Sequence, residues 1–378
     1  MSPVTAPDHG PTEDGDPGDD TPRESPPRES PADDLDEPTE DEGPRRVFRA
    51  HVTHHCERLL GSEAVGFAFP GGSRRDSCRV TLADGRSLIA TVRDEPHRAE
   101  LEARALAALA PHGAPAPRVI ADNGRVLIQE DRGERRLSVA LHEADADEAG
   151  ALLGAALDSL LALHEAGRRA GLAARVPMLG VADWWIRALI DRPVALGNLL
   201  GIEPPAPDVH AMRDLLGVLD PAFVKWDARP ANAVLDEAGR IAWIDFEHCG
   251  ARNPLDDLAW LLADEYTPAD PARDEALVAA YVPRFGGSLP PSLLPHYAWT
   301  MLVLHGTHRL NLVLDTVRED ERGWRDPDAC VRRDSLGVAH GFALRQCRRL
   351  EHHARQSSLT EPLADFFAAC AEALPPED

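Results

Sequence analysis

The amino-acid sequence predicts an α+β protein of two lobes: a small N-terminal lobe with an antiparallel sheet plus one helix, and a larger, mainly helical C-terminal lobe. Short strand and turn patterns fill the chain as far as residue 130, whereas leucine stripes at helical spacing dominate from Arg135 onwards. The 378 residues exceed the usual size of one small domain. Hydrophobic residues make up 43% of the chain but aromatic residues only 5%, which suits a helix-rich interior of Leu, Val and Ala.

The first 46 residues are predicted to form a disordered acidic tail, followed by an N-terminal lobe over residues 47–130 and a helical lobe over residues 131–378. Residues 1–44 contain fifteen acidic residues and two arginines, with almost no large apolar side chain. Such a segment buries too little surface to offset its chain entropy. A solubilising extension is the favoured interpretation of the tail, and a partner-binding segment is the alternative.

Charge and cysteine usage exclude several classes of function. The net charge is −24, and the chain after residue 44 is itself acidic, so no positive face is available for gripping nucleic acid. The six cysteines are scattered without a Cys-x-x-Cys pair, which indicates reduced thiols rather than zinc or redox chemistry. The N-terminus lacks a signal-peptide pattern, and no run of 18 apolar residues suggests a membrane span. We therefore expect a cytoplasmic protein.

The elements of the N-terminal lobe follow from turn and helix signals. A short amphipathic helix is predicted over residues 47–60, before Gly61. Two strands, 78–82 and 87–93, flank an Asp-Gly turn and form a hairpin. A helix over residues 96–109 precedes a second hairpin, whose strands meet at Asn123-Gly124.

The C-terminal lobe begins with a long core helix. Leucines at helical spacing between Asp145, a possible N-cap, and Ala166 predict that helix. A second helix is predicted from Asp208 to Leu219, and helices resume at Leu255 and continue almost to the end. Between them lies a loop and hairpin over residues 223–247, which contains the candidate functional residues.

Three polar side chains in this hairpin region suggest phosphate and metal chemistry. Two short apolar strands flank a turn at Gly239, so their pairing brings Asn232 and Asp245 to the open end of the hairpin. An amide oxygen and a carboxylate are suitable ligands for Mg²⁺ that also binds a triphosphate. Asp227 precedes Asn232 by five residues and is placed to accept a proton from a hydroxyl.

The alternative to a functional interpretation is that these three residues are purely structural. An Asp in a loop is most often a turn former or cap, and Ile-Asp-Phe at a strand end occurs by chance in many proteins. The joint spacing of Asp227, Asn232 and Asp245 favours function over that alternative.

These motifs resemble those of the aminoglycoside phosphotransferase and choline kinase family, whose fold is similar to that of protein kinases. The resemblance covers roughly residues 50–345. The stretch 227–232 is similar to the family's catalytic loop and 244–247 to its metal-binding segment. By the same resemblance, Asp257 braces the catalytic loop and His164 is structural.

The resemblance also implies a nucleotide site in the N-terminal lobe. Gly71, Gly72 and Ser73 correspond to the turn that covers the phosphates, although such a triplet is also typical of ordinary turns. Gln129 and Glu130 correspond to the hinge beside the base. The implied cofactors are Mg²⁺ and ATP, with GTP possible.

Two departures from the family pattern concern cations. The family loop begins His-Gly-Asp, whereas this chain has Lys225-Trp226-Asp227, so a buried bracing histidine is missing. The first-lobe lysine that grips the phosphates aligns with Thr91. Because strand side chains alternate, Arg93 lies on the same face and is expected to supply the charge.

Four further residues are candidates for the site. Glu102 is the expected ion-pair partner of the first-lobe cation, and an exposed helix Glu is the alternative. Arg229 either neutralises charge on the γ-phosphate or pairs with a neighbouring carboxylate. His305 and His308 are expected either to line the acceptor pocket or to be satisfied core groups.

The sequence therefore predicts a phosphotransferase that moves the γ-phosphoryl group of ATP or GTP to a hydroxyl of a small molecule. The expected partners are the nucleotide and that substrate, with neither nucleic acid nor membrane, and the oligomeric state is left open. The main alternative is a nucleotide-binding pseudokinase or scaffold without turnover. Nucleotidyl transfer on the same scaffold is a weaker one.

Overall fold

The computed structural model describes residues 42–69, 77–93, 95–287, 289–320 and 323–377, with only the backbone for residues 42–48. The predicted acidic tail up to residue 41 and the predicted phosphate turn at Gly71, Gly72 and Ser73 lie outside the described residues. The strands of the described part are β1 Ala64–Ala68, β2 Ser77–Leu82, β3 Ser87–Val92, β4 Val119–Asp122, β5 Val126–Glu130, β6 Arg135–Arg136, β7 Ala222–Val224, β8 Ala233–Leu235, β9 Ile241–Trp243 and β10 Gly250–Arg252. The helices of the described part are α1 Glu42–Leu60, α2 Pro96–Leu109, α3 Leu137–Glu143, α4 Ala146–Ala170, α5 Asp183–Ile190, α6 Arg192–Leu200, α7 Val209–Leu216, α8 Leu255–Leu262, α9 Pro271–Phe285, α10 Leu294–Glu319, α11 Pro327–Arg333, α12 His340–Ala354 and α13 Ala364–Glu372.

The first five strands form one antiparallel sheet in the order β1-β2-β3-β5-β4. The two predicted hairpins appear here as β2-β3 and β4-β5. Ala90 and Ile128, which face each other across β3 and β5, pack with Val52 and Cys56 of α1 in one apolar cluster. The other face of β3 carries Thr91, because successive side chains of a strand alternate. Residue 93 follows two positions later, on the same side as Thr91.

The helical lobe is organised around α4, α8 and α10. Asp145 and Glu148 form a reciprocal capping box that starts α4, as the sequence indicated for Asp145. The leucine stripe of α4 is buried, including Leu153, Leu157 and Leu160. In the described part of the chain, α4 is the one helix long and apolar enough to span a bilayer, but this stripe lies in the protein core.

Most predicted elements agree with the structure, and the differences lie at helix ends. Helix α2 has the predicted bounds, whereas α1 begins at Glu42 rather than at residue 47. The prediction that the second C-lobe helix reaches Leu219 was wrong. Helix α7 ends at Leu216 because Gly217 adopts extended backbone, and Leu219 is 73% exposed. The α+β class with a sheet-containing first lobe and a helical second lobe is confirmed.

Two small sheets hold the candidate site within the helical lobe. The strands β8 and β9 pair antiparallel with Ala233 opposite Trp243, and β6 extends this sheet on the other side of β8. The strand β7 pairs with β10, which fixes the two segments before and after the hairpin. The strands β8, β9 and β10 are fully buried, and they give the polar loops at their ends a rigid base.

Candidate active site

The loop after β7 has an unusual backbone. Trp226 and Asp227 adopt left-handed conformations with φ of 53° and 52°, and Asp245 does so with φ of 63°. Left-handed backbone is uncommon for residues other than glycine and persists only where the surrounding contacts impose it. Such residues cluster at functional sites, so this loop and the segment around Asp245 are the first candidates.

The carboxylate of Asp227 is held by two neighbours on its own loop. Its Oδ1 accepts a hydrogen bond from Nε of Arg229 at 2.7 Å, and its Oδ2 accepts one from Nδ2 of Asn232 at 2.6 Å. Of the two alternatives for Arg229, the structure therefore shows the pairing with a neighbouring carboxylate. The Asp227 side chain is still 16% exposed, so it is oriented without being sealed from a substrate.

The β8-β9 hairpin places Asn232 and Asp245 at the same end. The backbone N–H of Ile244 donates to the carbonyl of Asn232 at 2.9 Å, continuing the pairing beyond the strands. Because Nδ2 of Asn232 donates to Asp227, the amide oxygen is the atom left to act as a ligand. One oxygen of the Asp245 carboxylate accepts from Arg93, which leaves the other.

This donor set fits a hard divalent cation that takes its remaining ligands from phosphate and water. Within the described part of the chain, no group of three His, Cys, Asp or Glu side chains is suited to holding a metal ion by itself.

Arg93 connects the two lobes. Its Nη2 lies 2.9 Å from Oε2 of Glu102 and 2.5 Å from Oδ1 of Asp245, and its Nη1 lies 3.1 Å from Oε1 of Glu247. Thr91, aligned with the family lysine, is buried in the sheet, whereas Arg93 reaches the carboxylates. One guanidinium thus contacts three carboxyl groups, one from α2 and two from the segment after β9.

These charges shift the ionisation of the carboxylates. Burial opposes ionisation of Asp245, but the charges of Arg93 and Lys225 outweigh it and hold the pKa of this carboxyl well below its usual range. Burial and, to a smaller extent, the neighbouring charge of Asp245 raise the pKa of Glu247 to about 7, although the charge of Arg93 opposes this rise. Asp245 therefore stays ionised near neutral pH.

Glu102 has a second role besides pairing with Arg93. It is fully buried in α2, and its Oε1 accepts a hydrogen bond from the backbone N–H of Phe246 at 3.3 Å. The alternative of an exposed helix Glu is therefore wrong. The side chain joins α2 to the segment that contains Asp245.

Lys225 occupies the position where the family pattern has histidine. Its side chain is fully buried, and its Nζ donates to the carbonyls of Trp226 at 3.4 Å, Asp227 at 3.0 Å and Asp245 at 3.0 Å. The sequence shows that the histidine is missing, but the three carbonyl contacts of Lys225 are visible only in the structure. The available signal was the position of the chain's single lysine directly after an apolar strand.

Asp257 holds the same loop through hydrogen bonds to its backbone. Its Oδ2 accepts from the backbone N–H of Lys225 at 2.7 Å and its Oδ1 from that of Trp226 at 2.8 Å. Nε2 of His164, near the end of α4, lies 2.7 Å from Oδ2 of Asp257. These contacts are those that the family resemblance implied for the two residues.

The predicted hinge residues lie at the end of β5. Gln129 is 5% exposed, and its side-chain oxygen has no hydrogen-bond partner in the described structure. Gln129 stands opposite Ile89, which shares a strand face with Thr91. Glu130 is half-buried, with Arg118 and Arg132 each 3.5 Å away.

Aromatic rings form a row that includes Trp226, the residue before Asp227. The ring of Trp226 lies 5.8 Å from that of Trp185 and 5.5 Å from that of Trp260, which is 4.0 Å from His305. Burial lowers the pKa of His305 well below its ordinary value, and His308 lies 6.3 Å beyond it. We call Trp185, Trp226, Trp260 and His305 the aromatic row. No sequence pattern indicates the role of Trp260, because it is far from Trp226 along the chain and the two rings meet only in the folded protein.

A sequence model described as the phosphotransferase enzyme family (APH) matches residues 68–294, which is more than half of the chain. The chain belongs to this phosphotransferase family. The suspected family is thereby confirmed, as is the predicted enzyme class of a kinase that uses an alcohol group as acceptor. Membership identifies the chain as a small-molecule phosphotransferase.

Solved structures of similar proteins cover most of this chain. The amicoumacin kinase hAmiN, solved with AMP-PNP, Ca²⁺ and Ami, is 14% identical, with a TM-score of 0.50 over 79% of this chain and 97% of that chain. This likeness supports the protein-kinase-like fold.

Two further matches have lower scores. Macrolide 2'-phosphotransferase MphH from Brachybacterium faecium is 16% identical, with a TM-score of 0.48 over 76% of this chain and 96% of that one. Choline kinase LicA from Streptococcus pneumoniae is 15% identical, with a TM-score of 0.47 over 80% and 99%. A search of curated protein sequences found no match.

Proposed function

We propose that this phosphotransferase moves the γ-phosphoryl group of ATP, or of GTP, to a hydroxyl of a small molecule, with Asp227 as the proton acceptor. The observation that carries the proposal is the hydrogen-bonded pair of Asp227 and Asn232 at the open end of the β8-β9 hairpin, which also carries Asp245. A proton acceptor and two oxygen ligands at one hairpin end are the parts that phosphoryl transfer needs.

The transfer step follows from the hydrogen bonds of Asp227. The acceptor oxygen forms a bond to the γ-phosphorus while the bond from that phosphorus to the β–γ bridging oxygen breaks, which releases the nucleoside diphosphate. The hydroxyl proton passes to the Asp227 carboxylate. Arg229 and Asn232 hold that carboxylate in one orientation, so the attacking oxygen meets a preplaced acceptor.

Cations on both lobes serve the nucleotide phosphates in this proposal. The oxygen atoms of Asn232 and Asp245 would hold Mg²⁺, which when bound supplies positive charge to the β- and γ-phosphates. Arg93 takes the place of the family lysine and is oriented by Glu102. Gly71, Gly72 and Ser73 would cover the phosphates, and Gln129 and Glu130 would lie beside the base.

The acceptor is proposed to bind against the aromatic row. Trp226 precedes Asp227 in the chain and both residues are partly exposed, which supports placing the acceptor against this indole ring. Rings of this kind favour flat or apolar molecular surfaces and cations. The two ligands of the proposed enzyme are thus a nucleoside triphosphate and a small hydroxylated compound, acting in the cytoplasm.

Release of ADP tests the proposal. Purified protein is incubated with Mg-ATP or Mg-GTP and a library of metabolites and aminoglycosides, and the product is identified by mass spectrometry. We expect acceptor-dependent release of ADP from ATP or of GDP from GTP, a product heavier by one phosphoryl group, and loss of at least about 100-fold in kcat for Asp227→Ala. Glu237→Gln, in the exposed turn of the same hairpin, is the matched control with full activity.

The alternatives give different results in the same experiment. A pseudokinase binds Mg-ATP without turnover for any acceptor, and a nucleotidyl transferase adds a nucleotide and releases pyrophosphate. Either result overturns the proposed phosphoryl transfer.

A further inference from the structure

The side chain of Lys225 contacts three residues of the site that have left-handed backbone. In the described part of the chain, the residues other than glycine with positive φ are Trp226, Asp227, Asp245 and Asp334. The carbonyl oxygens of Trp226, Asp227 and Asp245 all accept hydrogen bonds from one atom, Nζ of Lys225. The ammonium group therefore binds the strained backbone of the proposed base and the strained backbone of the proposed metal ligand together.

We infer that Lys225 is a positioning residue of the phosphotransferase, which fixes the spacing between Asp227 and Asp245. This inference rests on the proposed function, since it concerns the same two residues. Lys225 contacts neither carboxylate directly. Its ammonium group holds the backbone carbonyls of both segments.

The chemistry of an ammonium group suits this role. It has three donors and no acceptor, and here each donor has a carbonyl oxygen as its partner. Its Nζ also lies 5.5 Å from the centre of the Phe246 ring, whose face is attractive to a cation. A fully buried lysine is rare unless its charge is satisfied in this way.

Lys225 connects two loops through hydrogen bonds of its backbone and of its side chain. Asp257 holds the backbone N–H of Lys225 and of Trp226, which anchors the catalytic loop to α8. The Lys225 side chain then extends from this anchor to the carbonyl of Asp245. Without it, the hydrogen bonds described for the two segments leave only the hairpin backbone and Asn232 to relate Asp227 to Asp245.

Removal of the ammonium should affect the chemical step more than nucleotide binding. Arg93, oriented by Glu102, remains to bind the phosphates, whereas Asp227 is free to leave its left-handed conformation. A displacement of about 1 Å of a catalytic group can cost about 100-fold in rate. For Lys225→Met we therefore expect kcat to fall by about 100-fold while KM for the nucleotide changes by less than about 3-fold.

Two variants accompany this measurement. Lys225→His introduces the residue of the family pattern, whose ring N–H groups replace part of the lost hydrogen bonds, and we expect it to recover a substantial part of kcat. Arg349→Met removes another buried cation that donates to two backbone carbonyls, those of Asp264 and Thr267, outside the catalytic loop. It should lower the melting temperature while leaving kcat per folded molecule within about 3-fold. Near wild-type kcat in folded Lys225→Met contradicts the inference.

The wild-type protein offers an independent measurement, because Lys225 is its only lysine. Labelling with ¹³C,¹⁵N-lysine, in a protein whose affinity tag lacks lysine, gives one set of side-chain NMR signals. We expect Cε and Hε shifts of an immobilised side chain, with a change on adding Mg²⁺ and a non-hydrolysable ATP analogue. Shifts of a mobile, solvated lysine, or no response to the metal and nucleotide, overturn the inference even if Lys225→Met does not fold.

Failure of this inference and failure of the proposed function give different results. Acceptor phosphorylation by wild type and by folded Lys225→Met at nearly the same kcat leaves the function standing and removes the role of Lys225. Nucleotide binding without any turnover removes the proposed function, and the lysine signals still report whether Lys225 links the two segments.

Discussion

Arg93 and Glu102 form a 2.9 Å ion pair that joins the end of β3 to α2, and the Glu102 partner is completely buried. The pair sits where the family pattern has a lysine two positions earlier in the strand. Strand alternation makes this shift possible, because residues 91 and 93 lie on one face of the sheet. The longer guanidinium also reaches Asp245 and Glu247, so the substitution changes more than the position of one charge.

The first prediction concerns the energy of this pair. Arg93→Met should lower the free energy of unfolding by about 3–5 kcal/mol, because it leaves Glu102 buried and unpaired. The double variant Arg93→Met/Glu102→Met should lose much less than the sum of the two single changes. Urea unfolding measures this coupling. The exposed pair Arg168 and Glu165 on α4 is the control, and its double-mutant cycle should be nearly additive. Additive effects at Arg93 and Glu102 would show that the ion pair has no energetic role.

The second prediction concerns magnesium. Asp245→Asn removes the one charged ligand of the proposed site, and the Mg²⁺ concentration needed for half-maximal nucleotide binding should rise by about 10- to 100-fold. Calorimetric titration at several Mg²⁺ concentrations measures the shift. Asp236→Asn alters a carboxylate at the closed end of the same hairpin and should leave the Mg²⁺ requirement unchanged. The same Mg²⁺ requirement in Asp245→Asn and wild type would exclude Asp245 as a ligand.

The third prediction separates bracing of the catalytic loop from general stability. Asp257→Asn places an amide N–H₂ against the backbone N–H of Lys225 or Trp226, so the loop loses one of two hydrogen bonds. We expect kcat to fall by about 100-fold, with a lower melting temperature.

The neighbouring Asp256 provides the control for this change. It is equally buried but binds Arg252 and Tyr297 instead of the catalytic loop. Asp256→Asn should destabilise the fold while keeping kcat per folded molecule within about 3-fold of wild type. Equal losses of kcat in the two variants would mean that Asp257 acts only through stability.

The fourth prediction concerns the pH dependence of stability. Burial raises the pKa of Asp264 to about 7, with a further contribution from the charge of Glu265. Because the folded pKa exceeds the unfolded one, the folded state binds more protons than the unfolded state between about pH 4 and pH 7. The contribution of this group is therefore fully present below pH 4 and is lost as the pH rises through 7.

Unfolding measured at pH 5 and pH 8 tests this sign. In wild type, one such group reduces the free energy of unfolding by about 1.4 kcal/mol for each unit that the pH rises between about pH 4 and pH 7. Asp264→Asn should flatten this slope, whereas Asp326→Asn, an exposed N-cap of α11, should keep it. An unchanged slope in Asp264→Asn would show that another group titrates.

Local sequence patterns sufficed for most elements near the site. The Asp-Gly and Asn-Gly turns gave the two hairpins of the first sheet, and the leucine stripe gave α4 together with its Asp145 cap. The apolar strands around Gly239 placed Asn232 and Asp245 at one end of a hairpin. These features depend on neighbours within a few residues, so the sequence contains the information that decides them.

Contacts between distant segments were accessible only in the tertiary structure. Trp226 and Trp260 are 34 positions apart and Arg93 and Asp245 are 152 apart, so no local pattern could pair them. The sequence alone determined the chemical types of the catalytic-loop residues, the hairpin that joins them and the absence of the usual lysine. The tertiary structure decided that Arg93 pairs with Glu102 and that Lys225 binds three carbonyls, because burial and charge pairing depend on which segments the fold brings together.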